Sequence, residues 1–157
     1  MPVERCTEKK RALIVGLKCC ICAVPLAHVI EIMRPLPVES LSGVPAFVSG
    51  VAIIRGIPTP VVDLAAVLGT PNEAAERFVT MRVGDKQVAL SVNAVLGVRD
   101  LDTMMTSQKL PPLLQRASKD LVETIGTLDE QVLMVLRAGW ELPDEAWQVL
   151  TGQEALT

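Results

Sequence analysis

Short apolar runs, each closed by a turn signal, recur along this chain at intervals of roughly 8–12 residues, and that spacing limits what it can fold into. Ala12 to Leu17 (ALIVGL) and Cys19 to Val24 (CCICAV) sit on either side of Lys18. Gly50 to Arg55 leads into the turn Gly56-Ile57-Pro58-Thr59 and a second strand from Pro60 to Val62. Arg77 to Val83 and Gln87 to Val92 flank Gly84-Asp85-Lys86, while Leu121 to Leu128 and Gln131 to Ala138 flank Asp129-Glu130. Runs this short read as strands joined by hairpins. Val, Leu, Ile and Ala supply most of the apolar content, which favours a pleated, half-buried surface. About eight to ten such strands with few helices predict small β-barrels rather than a doubly wound sheet.

Helical signals are few. Pro25 followed by Leu26, Val29, Ile30 and Met33 at helical spacing predicts a short helix, ended by Pro35 and Pro37, with His28 and Glu31 off its apolar stripe. Asp63, Leu64 to Leu68 and Gly69 stand in the order of an N-cap, a short helix and a C-cap glycine. Asn93 to Leu101 predicts a turn of helix and another strand, and Asp102 to Asp120, with Pro111-Pro112, a long loop. Pro143 to Leu150 predicts a C-terminal helix, with proline at its first position and acidic residues facing its dipole.

Several function classes are disfavoured by what these 157 residues carry. The net charge is −3, no Lys/Arg run marks a phosphate-binding surface, and two Phe and two Trp are all the aromatics, so nucleic acid is not an expected partner. No apolar run approaches the roughly eighteen residues of a membrane span, and the charged start Met1-Pro2-Val3-Glu4-Arg5 lacks a secretory stretch. The expectation is a cytoplasmic protein without direct membrane insertion. Cys6, Cys19, Cys20 and Cys22 crowd near the start, a poor pattern for a disulfide framework. On a strand Cys20 and Cys22 share one face and Cys19 the other, so they read first as small hydrophobes. A metal or redox sensor built on this cluster, with His28 as a further ligand, is the alternative. His28 is the sole histidine, and neither a nucleophile elbow nor a phosphate loop is present. The chain therefore reads as a non-enzyme with no cofactor and no metal.

The most informative stretch is Arg55-Gly56-x-x-x-Pro60-x-x-Asp63-Leu64. Gly56 permits a turn with positive φ, Pro60 enters a strand where no amide donor is needed, and Asp63 caps the short helix beginning at Leu64. Neither hairpin nor cap requires Arg55. Two readings are open: an arginine paired with Glu31 that presents donors to a partner, or a solvated arginine with no role.

These residues resemble the CheW-like adaptor family. Its strand ending in Leu-Arg-Gly, then Pro and Asp-Leu, is similar to Ile54-Arg55-Gly56, Pro60 and Asp63-Leu64. Its Val-x-Glu-Ile core resembles Val29-Ile30-Glu31-Ile32, and its approach to the motif resembles Pro45 to Val51. Val88 to Val95 and Gly126-Thr127-Leu128 with Leu133 and Leu136 extend the likeness, though Ile53 replaces the usual Asn and Asn93 an Asp. The resemblance implies two SH3-like five-stranded barrels sharing a hydrophobic seam, with short helices. It implies a CheW-like domain over 9–140, divided near 66–76; the C-terminal helix belongs to an expected helical extension over 141–157 that the likeness does not cover. It further implies a non-enzymatic adaptor that couples a chemoreceptor cytoplasmic tip to the regulatory domain of a histidine kinase. Leu26, Val29, Glu31, Gly50 and Arg55 would then face the receptor, while Gly56, Pro60, Asp63 and Leu64 hold the motif's shape.

Overall fold

The structure, a computed structural model, describes residues 11–18, 20–67, 75–100, 122–128 and 130–136. These form ten strands in two mixed sheets. β1 (Arg11–Gly16), β2 (Ile21–Pro25), β8 (Ala94–Asp100), β9 (Val122–Leu128) and β10 (Gln131–Leu136) make the first, in the order β8-β1-β2-β10-β9. β3 (Val29–Met33), β4 (Val48–Ile54), β5 (Ile57–Asp63), β6 (Arg77–Val83) and β7 (Lys86–Val92) make the second, in the order β3-β6-β7-β5-β4. Among the described residues, helix is limited to a 3-10 turn at Leu26–His28 and α1 (Leu64–Val67).

The chain crosses between sheets after Pro25 and again between Val92 and Ala94. β5 and β6, on either side of residues 66–76, both belong to the second sheet. Cys6, Cys19, Gly69, the expected loop 102–120 and the C-terminal helix lie outside the described residues.

The two sheets share one connectivity in circularly permuted form. Placing β8, β9, β10, β1, β2 on β3, β4, β5, β6, β7 reproduces the strand order, with the parallel contact at β10–β2 in one sheet and β5–β7 in the other. Register shifts correspond too: the one between Val29 and Glu31 matches the one around Val95 and Gly97. The shift at Val48/Gly50 likewise matches that at Val122/Thr124.

Alternation along the strands explains why the runs are apolar almost without interruption: the central strands are buried on both faces. Leu13, Val15, Cys22, Val24, Met134 and Leu136 of the first sheet pack with Val62, Val79, Met81, Val88, Leu90 and Val92 of the second in one shared core. The intervening residues of the first sheet, among them Ile14, Ala23 and Leu133, form a core of their own. Ala52, Ile54, Val61, Phe78 and Ala89 do the same in the second.

The helix predicted from Pro25 is not formed beyond its first turn. Val29 to Met33 is an edge strand paired with β6, its residues alternately half-buried and exposed. Over so short a window Val29 and Met33 satisfy both periods, and β-branched Val29, Ile30 and Ile32 favour the extended chain once β6 offers a ladder. Within the stretch expected to start with a helical turn, Asn93 leads directly into strand β8, Ala94–Asp100.

The turn after β4 is tighter than its composition suggests. Ile54 pairs directly with Ile57 across Arg55-Gly56, whose φ values are 52° and 80°. Positive φ at both central residues is what a type I′ hairpin needs. From that register Pro58 and Pro60 face β4 at non-hydrogen-bonded positions, and the parallel ladder to β7 begins only at Val61. No donor is missed at either proline.

Asp63 ends β5 and caps α1. Its Oδ1 accepts from the Ala65 and Ala66 amides at 3.1 and 3.3 Å, satisfying two of the helix's open donors. Asp63→Ala is expected to lower stability by about 1 kcal/mol and Asp63→Asn by less, read as shifts of the denaturation midpoint. Equal stability of Asp63→Ala and wild type would remove the cap from this account.

Candidate functional site

The site is built across the two edges of the second sheet, β3 and β4, which are not hydrogen-bonded to each other. Glu31 projects from β3, and its backbone is clamped by Thr80 of β6. The Glu31 amide donates to Thr80 Oγ1 at 3.2 Å, and that hydroxyl donates to the Glu31 carbonyl at 3.3 Å. From the β4–β5 turn, Arg55 donates through Nε to Glu31 Oε2 and through Nη2 to Glu31 Oε1, both at 2.8 Å. This is the planar two-bond fork that only arginine makes with a carboxylate.

The arginine side chain is 73% exposed and that of the glutamate 27%. The fork therefore holds the guanidinium in one orientation and leaves its remaining donors facing solvent. Hydrogen bonding from Arg55 lowers the Glu31 pKa, against a smaller opposing push from desolvation, and the same hydrogen bond raises that of Arg55.

A lowered carboxylate pKa means the pair is present above the ordinary glutamate range and is lost as pH falls through the depressed value. The pair is thus intact at neutral pH. In Arg55→Gln the Glu31 carboxylate is expected to titrate higher, back towards the ordinary glutamate range, followed by carboxyl NMR shifts against pH. An unmoved midpoint would show that the two groups do not pair in solution.

The other residues singled out from sequence fall around this pair. Leu26 and Val29 are half-buried and pack against the shared core. Gly50 is buried in β4 and Gly56 completes the turn. Asp63 and Leu64 are buried at the β5–α1 junction. Apolar surface accompanies the charges: Ile53 is 59% and Ile57 52% exposed on either side of the Arg55-Gly56 turn, and Ile30 and Ile32 are exposed on β3. Thr80 was not singled out by sequence reasoning. Its one signal is a hydroxyl in an otherwise apolar run from Phe78 to Met81.

The corresponding place in the first sheet lacks this chemistry. Glu31 corresponds to Gly97, and the Arg55-Gly56 turn to residues 129–130, between Leu128 and Gln131. Gly97 has no side chain to offer where Glu31 carries its carboxylate.

Cys20 and Cys22, the cysteines among the described residues, give no comparable arrangement. Cys22 is fully buried, and desolvation, with Cys20 nearby, pushes its pKa up, so it stays a neutral thiol packed in the shared core. Among the described residues no three His, Cys, Asp or Glu side chains converge as metal ligands. None of the described helices is long and apolar enough to cross a membrane.

Two mixed β-sheets on one shared core, with a surface ion pair flanked by exposed aliphatic residues, make this a two-sheet β module. Residues 11–139 match the model of the CheW-like domain, and the chain belongs to that family, whose members are scaffold and adaptor proteins of chemotaxis-type signalling. It is 33% identical over 92 residues to Protein PilI of Pseudomonas aeruginosa, a match over 57% of this chain and 52% of that protein, so the chain spans about half of that relative's length. The fold is similar to that of the scaffolding protein TtCheW from Thermoanaerobacter tengcongensis. The TM-score is 0.65 at 20% identity, covering 82% of this chain and 89% of that one.

Proposed function

We propose that this protein is a cytoplasmic, non-enzymatic adaptor that couples a chemoreceptor cytoplasmic tip to the regulatory domain of a CheA-type histidine kinase through protein–protein contacts alone. The observation that carries this reading is the Arg55–Glu31 fork: an arginine held in place by a carboxylate at the surface, its free donors turned outward. Such a pair suits recognition of a polar partner surface, with specificity set by geometry. The flanking Ile53 and Ile57 supply the apolar area that a helical bundle would bury.

In this reading Leu26, Val29, Glu31 and Arg55 line the receptor-facing groove, with Gly50 beneath its surface, while Gly56, Pro60, Asp63 and Leu64 keep the motif's shape. Each sheet is read as an SH3-like barrel. The domain runs over 9–140, and 141–157 is a helical extension.

Binding of the purified protein to a receptor tip and to a kinase regulatory domain from the same genome tests the proposal. Saturable binding to both is expected. Binding to neither would leave the fold standing and the coupling function without support.

A further inference from the structure

The connection between β3 and β4 is a strap, residues 34–47, that folds back over the outer edge of β4. Leu36 packs on the second sheet's own core, and Val44 and Phe47 pack on the shared core. Between these anchors the strap is pinned to the strand by one reciprocal bridge. The Glu39 amide donates to the Val51 carbonyl at 2.8 Å, and the Val51 amide donates to the Glu39 carbonyl at 2.9 Å. Val51 is free to make both bonds because it faces away from β5 in the β4–β5 register.

The bridge lies directly over Gly50. A Cβ at that position would fall on the Glu39 carbonyl oxygen, 2.7 Å from the Glu39 carbonyl carbon and 2.9 Å from Val38 Cγ1. The obstacle is backbone, which cannot swing aside as a side-chain tip can. Gly50 also has φ +154°, which residues with side chains rarely adopt. The register shift at this point does not itself demand glycine, because the corresponding position of the first sheet is Thr124. What demands glycine is the strap.

We infer that Gly50 is a positioning residue: its missing side chain lets Glu39 latch the strap onto β4, and the latch holds β4 and its Arg55 turn in register with Glu31 on β3. The strap starts at the end of the strand that carries Glu31 and is pinned three residues before Ile54, which leads into Arg55. Latch and ion pair are then two links between the same two sheet edges. Gly50 acts on the receptor-facing groove without forming part of its contact surface.

The link to binding rests on the adaptor reading above; the latch does not. Amide hydrogen exchange on the full chain reads the latch, and receptor-tip binding reads its consequence. In Gly50→Ala the Val51 amide is expected to exchange about tenfold faster or more, with Leu90 in the shared core unchanged. Glu39→Pro removes the strap's donor without touching β4 and should reproduce that local acceleration. Both variants should weaken receptor-tip binding at least about fivefold with Glu31 and Arg55 intact.

A protected Val51 in Gly50→Ala would overturn the inference, as would equal acceleration of Val51 and Leu90 in both variants. Glu39→Pro that opens Val51 yet binds the receptor tip like wild type would overturn the positioning role. If wild type itself fails to bind, the adaptor reading falls, and the exchange measurements still decide the latch.

Discussion

Arg55→Ala is expected to weaken receptor-tip binding at least about thirtyfold while unfolding near the wild-type midpoint. The two halves of that expectation have different physical sources. In the free protein the guanidinium is largely solvated, so losing an exposed pair changes stability little. In a complex the same group is covered, and its removal leaves Glu31 and any partner carboxylate without a counter-charge in a drier environment.

Arg55→Lys should rescue little, because an ammonium cannot make the fork to both Glu31 oxygens and presents no fixed plane of donors. Exchanging the charges, with Glu31→Arg and Arg55→Glu together, keeps an ion pair between the same strands but reverses what faces the partner. It is expected to remain folded and to lose binding. Kinase-domain binding should survive all these changes if its contacts lie away from the groove. A folded Arg55→Ala that bound the receptor tip like wild type would end the assignment of this pair to the interface.

Leu90→Ala is expected to cost about 2–5 kcal/mol, a large part of the roughly 5–15 kcal/mol that holds a domain of this kind together. Leu90 is fully buried in the middle of β7, opposite Val79 on one side and Val62 on the other, and lies within the core shared by the two sheets. Because that core draws on strands from both sheets, its loss should lower one cooperative transition rather than split it. Denaturant unfolding followed by far-UV circular dichroism gives the midpoint and the number of transitions. Two separate transitions would mean that the sheets are independent units which merely touch.

The same core explains why the division between the halves is hard to read from the sequence. A boundary in a chain is sought where composition changes, and the stretch between α1 and β6 looks like one. Yet β6 and β7 lie with β3, β4 and β5, while β1 and β2 must wait for β8, β9 and β10. The permuted connectivity puts strands far apart in sequence into neighbouring ladders, and no local signal records such a pairing.

Local chemistry was legible wherever a residue's job is local. The hairpins at Gly84-Asp85 and before Gln131, the proline-tolerant start of β5, and Asp63 ahead of a short helix all follow from backbone geometry within a few residues. Strand β3 shows the opposite case. Five residues from Val29 to Met33 fit a helical stripe and an alternating strand about equally, and the ladder to β6, about fifty residues away, decided between them.

The sequence by itself therefore determined the strand-rich class, most hairpins and the presence of a distinctive arginine, because these depend on short-range sterics and periodicity. Only the tertiary structure decided that Glu31 sits on a strand edge, with Thr80 clamping its backbone. Only it set Arg55 across from that carboxylate and Gly50 under the Glu39 carbonyl. The physical reason is the same for each: they are contacts between segments that meet only when two sheets close on a common core, and a one-dimensional pattern carries no measure of that distance.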